Sequence, residues 1–113
     1  LNPEKIGSVN FIYKKMDLDA QDLKNFTQSF KKENNLVLLL SSTLGSKVLI
    51  TLLISNDLIS EGYNAKDLIN ILSKEISGGG GGQDYIATAG GSNLNGLDNT
   101  VKKVKELFTK KLA

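Results

Sequence analysis

The chain has 113 residues, 40% apolar and 23% charged, the size and make-up of one globular domain with a single core. It contains no cysteine, histidine or tryptophan, which excludes thiol nucleophiles, disulfides, zinc–thiolate sites and imidazole acid–base chemistry. Its fourteen basic residues are all lysine and are set against twelve acidic ones, a net charge of +2, so any polyanion contact must use ammonium point charges and not a bidentate guanidinium fork.

Val9 to Tyr13 reads as a strand, with Val9, Phe11 and Tyr13 on one face. Asp19 is placed to cap a helix running to about Lys32, whose apolar face is Leu23, Phe26 and Phe30. Leu36 to Leu40 is a continuous apolar run, as expected of a strand covered on both faces. Leu44-Gly45-Ser46-Lys47 is a turn, and Val48 to Ile54 is a second apolar run, so the pair predicts an antiparallel hairpin. Asn64 caps a helix from Ala65 to about Ser77, with Ala65, Leu68, Ile69, Leu72 and Ile76 as its stripe. Glycine just past a helix is a natural stop, and Gly78 to Gly82 follow. Tyr85 to Ala89 reads as a short strand, Asn95-Gly96 as a turn, and Leu97 to about Leu112 as a last helix. Leu97, Val101, Val104 and Phe108 face its core side. Lys102, Lys103, Lys105, Lys110 and Lys111 lie mostly on the other side or near its C-terminus, where positive charge suits the helix dipole.

The expected fold is therefore α/β (α+β): a single mixed sheet with helices packed mainly on one face, in the order β-α-β-β-α-glycine loop-β-α. Residues 1–113 form one domain. No apolar run is long enough to span a membrane. Leu1 brings neither an initiator methionine nor a signal-peptide pattern, so the chain is expected to be a fragment of a longer protein.

The five successive glycines are the most informative segment. Ordering them costs on the order of 5–10 kcal/mol of backbone entropy, so they call for a reason beyond connection. The spacing fits neither a P-loop nor a dinucleotide-binding turn. One reading is a loop whose N–H groups form a nest with Gly90-Gly91 for an anion or a close backbone. The other is a loop made glycine-rich so that its neighbours pack tightly. Tyr85 either stacks on a base or anchors the loop. The lysines of the last helix either meet phosphate or form a solvated face. No nucleophile–base pair is present.

The segment Gly78-Gly-Gly-Gly-Gly-Gln-Asp-Tyr-Ile-Ala-Thr-Ala-Gly-Gly91 resembles the C-terminal signature of alanyl-tRNA synthetases, a glycine run followed by Ala-x-Ala-Gly-Gly. Asp22-Leu23-Lys24, the two apolar strands about Gly45, and Ser55-Asn56-Asp57-Leu58 fall in that family's order. Many members follow the glycines with a basic residue and proline, where this chain has Gln83 and Asp84. The resemblance implies an accessory, non-catalytic domain that binds the outer corner of tRNA. Its partners would be tRNA and the catalytic and editing domains of the same chain, in the cytoplasm. Dimer formation in the full-length protein, through helices preceding this domain, is a further implication. ATP, magnesium and zinc would belong to the other domains. Gly80, Gly81, Gly82, Gln83, Gly90 and Gly91 become candidates for shaping the RNA contact, with Lys102, Lys103 and Lys105 for its charge. Two alternatives stand beside this reading. One is the substrate-binding C-terminal domain of a DHH-type phosphoesterase. The other is a protein-interaction domain that docks a second copy through its sheet edge or last helix.

Overall fold

The computed structural model describes residues 3–112, with side chains to Phe108. Strand β1 (Glu4–Ile6) turns directly into β2 (Val9–Met16), and helix α1 (Ala20–Gln28) follows. The hairpin β3 (Leu36–Leu44) and β4 (Lys47–Ile54) leads to a short helix α2 (Asn56–Ser60) and to α3 (Ala65–Leu72). Then come β5 (Gly78–Gly82), β6 (Ile86–Gly91), a 3-10 turn (Leu94–Gly96) and α4 (Leu97–Leu112). One six-stranded sheet runs in the order β1-β2-β3-β4-β6-β5. Only β2 and β3 are parallel, the crossover that α1 provides; the remaining pairs are antiparallel.

The local signals explain these elements. Asp19 accepts the backbone N–H of Asp22 at 2.9 Å and starts α1; Asn64 accepts that of Asp67 at 3.2 Å and starts α3. Residues Leu36 to Leu40 are all buried because they stand at the centre of the sheet with both faces covered. Val9, Phe11 and Tyr13 do share one face, together with Val37, Leu39, Ile50 and Leu52. Helices α2, α3 and α4 pack on that face through Leu58, Ile69, Leu72, Val104 and Phe108, and Tyr63 stacks on Phe108 with ring centroids 4.3 Å apart. The opposite face carries α1 alone, whose Leu23 and Phe26 cover Ile12, Leu38, Leu40 and Leu53.

The structure departs from the sequence expectation in four places, the first being α1, which ends at Gln28 and gives way to turns before reaching Lys32. The glycine run is not a loop but the edge strand β5, paired with β6 from Gly78↔Gly91 to Gly82↔Ala87. Helix α3 ends at Leu72, short of Ser77, and residues 73–77 form successive turns. The residue that takes the left-handed conformation there is Ser77, at φ 55°, not a glycine. The three-residue β1 and five-residue α2 are too short to show a hydrophobic period. The side chains of Lys110 and Lys111 lie outside the described residues.

Asp57, in the first turn of α2, ties the two halves of the chain together. Its carboxylate accepts the backbone N–H of Asn35 at 2.9 Å, and Asn35 holds a left-handed φ of 54° just before β3. Burial pushes the Asp57 carboxyl up, but hydrogen bonds from Ser55 and the N–H groups of Asn35, Asp57 and Leu58 outweigh it and hold the group below the usual value of 3.8. A lowered carboxyl stabilises the fold above about pH 4, and the stabilisation is lost as the pH falls through the lowered value. Asp57→Asn is therefore expected to cost about 1 kcal/mol at neutral pH, given the solvent around the group. Thermal unfolding of both proteins across a pH series checks this, since the gap should close as the pH falls through the lowered value.

Candidate nucleic-acid interface

Strand β5 has no side chains, and its glycines alternate in environment. A Cβ built on Gly78 would run into the Gly90 carbonyl, one on Gly80 into the Thr88 carbonyl, and one on Gly82 into the backbone of Ile86 and Ala87. A Cβ on Gly79 or Gly81 would meet nothing within 4 Å. Three glycines are thus required by the close approach of β6, and two open outward. Gly91 is also structural: its Cβ would collide with the Ile76 carbonyl at the end of the turns after α3.

The open glycines line a groove. Helix α1 lies over β3 and β4 and stops short of the last two strands, leaving the sheet uncovered there. A hollow of about 330 Å³ results. Gly79, Gly81, Thr88 and Gly90, the backbone of Gly80 and the β4 residues Leu49 and Thr51 line it on the sheet side, and Gln21, Leu23 and Lys24 of α1 on the other. The register accounts for the floor, because Leu49 pairs with Gly90 and Gly90 with Gly79, while Thr51 pairs with Thr88 and Thr88 with Gly81. A smaller cleft of about 60 Å³ beside it is lined by Lys24, Gly81, Gly82 and Gln83. Lys24 therefore borders both, whereas neither Asp19 nor Asp22 lines the groove.

The groove brings together Gly80, Gly81 and Gly90 of the residues expected from sequence, with Gly82 and Gln83 at the adjoining cleft. The lysines of α4 are elsewhere. Lys105 forms an ion pair of 2.9 Å with Glu4 on β1, the opposite edge of the sheet from β5. Lys102 and Lys103 ride on the same helix, which packs on the sheet face turned away from α1. Tyr85 is half-buried against the α1-side core, and the Lys31 ammonium sits 4.8 Å from its ring centroid, so it anchors the chain between β5 and β6. The nest reading has no support in an extended strand. Sequence reasoning missed Lys24 as a site residue. It directly follows Leu23 on the border of the apolar stripe of α1, and nothing in a one-dimensional pattern says which strand it overlooks.

Comparison with known proteins agrees with this architecture. Residues 8–110 match the DHHA1 domain. The chain belongs to the DHHA1 domain family. This DHHA1 domain is 43% identical over 108 residues to an alanine–tRNA ligase of Cytophaga hutchinsonii and 38% identical over 107 residues to that of Christiangramia forsetii. Each alignment covers 93% of the chain but 12% of the relative, so the domain spans about an eighth of those ligases. The crystal structure of the C-Ala domain of Aquifex aeolicus alanyl-tRNA synthetase overlays with a TM-score of 0.89 at 26% identity, covering 96% of this chain and 99% of that one. A DHH-domain member of the s1p family of ribosomal proteins shares the fold at a TM-score of 0.51 and 13% identity, covering 86% of this chain and 26% of that one.

The alternation along β5 sets a sharp expectation. Gly80→Ala should cost about 2–3 kcal/mol, because the new methyl must displace β6 backbone. Gly79→Ala and Gly81→Ala should change stability by less than about 1 kcal/mol. Urea denaturation of the three variants checks it, and equal losses at all three positions would contradict the environments described.

Proposed function

We propose that this domain is the C-terminal tRNA-holding module of an alanine–tRNA ligase. The observation that carries the reading is its overlay on the C-Ala domain, nearly complete in both directions. The DHH-domain likeness speaks for the fold alone. In this reading the glycine edge lies against the outer corner of tRNA. Gly80, Gly81, Gly82, Gln83 and Gly90 shape the contact, and Gly91 holds β6 in place behind it. Aminoacylation and editing belong to other domains of the parent chain, which would act in the cytoplasm on the tRNA held here.

The charge for the contact comes first from Lys24, at the rim of the groove. Lys102 and Lys103 supply a second basic surface on the other side of the sheet, and Lys105 is engaged by Glu4. So few cations give weak, salt-sensitive binding. Weak binding suffices for a tethered module, whose effective concentration reaches about millimolar.

The test is fluorescence anisotropy with alanine tRNA at about 50 and about 200 mM salt. With two or three phosphates neutralised, affinity should fall roughly ten- to fortyfold between the two conditions. Lys24→Gln should lower the slope of log affinity against log salt by about 1, and Lys102→Gln with Lys103→Gln should remove the remainder. Failure to bind tRNA even at high micromolar protein would overturn the reading.

A further inference from the structure

We propose that the groove between α1 and β5 seats one unpaired ribonucleotide and that Thr51 reads its 2′-hydroxyl. The proposal rests on the tRNA-holding reading above and adds how RNA is told from DNA.

The starting observation is an exception among the buried polar side chains. Thr27, Ser41, Ser42, Ser55, Ser73 and Thr100 each have a hydrogen-bond partner for the hydroxyl: the carbonyl of Leu23, the Tyr13 hydroxyl, the carbonyl of Leu18, the N–H of Leu36, and the carbonyls of Asn70 and Leu97 respectively. Thr51 is the seventh such residue, 1% exposed; its hydroxyl has no partner among the described residues and is not sealed from solvent, since it opens on the groove. A hydroxyl at the floor of a groove that no protein group engages is left to meet a ligand or water. Thr51 lines the groove, directly across from Thr88, whose hydroxyl is likewise unengaged among the described residues.

The surroundings select the kind of group that would meet it. The floor beside Thr51 is uncharged: Leu49, Gly79, Gly81 and Gly90. An anion moved onto that floor would lose its hydration without a cation next to it. A sugar hydroxyl both donates and accepts, as threonine does, and satisfies the pair without charge. The lone ammonium, Lys24, stands on the α1 side, where a backbone phosphate would lie while the sugar points inward. With no Cβ on Gly79 or Gly81, a sugar edge can approach β5 closely. A hollow of about 330 Å³ is at the small end for ligand sites, enough for one nucleoside unit and too small for a duplex.

The experiment titrates alanine tRNA, and the all-deoxy strand of the same sequence, into wild-type protein, Thr51→Val and Thr51→Ser. Wild type should prefer RNA by about fivefold, the worth of one hydrogen bond. Thr51→Val should remove the preference by weakening RNA binding alone, and Thr51→Ser should keep it. A second measurement needs no variant: amide shifts of Gly79 and Gly81 should respond to cytidine 5′-monophosphate and not to its 2′-deoxy form. Salt-sensitive tRNA binding with no RNA preference, or with a preference that survives Thr51→Val, overturns this proposal and leaves the tRNA-holding reading standing. No binding of either strand sinks both.

Discussion

The approach of β5 to β6 governs the shape of the whole α1 side of the sheet. Hydrogen bonding between strands fixes their spacing, and at Gly78, Gly80 and Gly82 that spacing leaves no room for a Cβ. Three alternate positions must therefore be bare. The two between them are bare without steric need, and they are the ones that open into the groove. Packing and access divide one low-complexity segment between them, residue by residue.

From this division follows the character of the site. A strand of ordinary residues at the same edge would fill the space beyond α1 with side chains. The glycines, with Thr88 and Gly90 on the next strand, leave a low floor that a single helix overlooks. The other face is covered by three helices, α2, α3 and α4, which pack on it through Leu58, Ile69, Leu72 and Phe108. The lysines of α4 are bound to that closed face by the packing of their own helix, and the Lys105–Glu4 pair lies at the far edge.

Much of this architecture can be read in one dimension where a single physical signal dominates. The caps at Asp19 and Asn64, the doubly covered run Leu36 to Leu40 and the hairpin about Gly45 all follow from local chemistry. The glycine run was harder to read because strand propensity speaks against it, and pairing with β6 overrides propensity. The stop of α3 was obscured for a related reason: glycines next to a helix end suggest a cap, yet the left-handed turn falls on Ser77. Of the site, the glycines were legible and their cation was not. Lys24 and the α4 lysines look alike in sequence, and only the choice of sheet face separates them. Thr51 sits within an apolar strand, where its missing partner cannot be seen without coordinates.

The absence of side chains has one more effect. No residue of β5 belongs to either hydrophobic cluster, so backbone hydrogen bonding to β6 and the proximity of α3 are what keep it in place. Its local opening free energy must lie below that of the central strands, which are anchored on both faces. A molecule resting along this margin would slow its fraying, so occupancy and order at the rim of the sheet rise together.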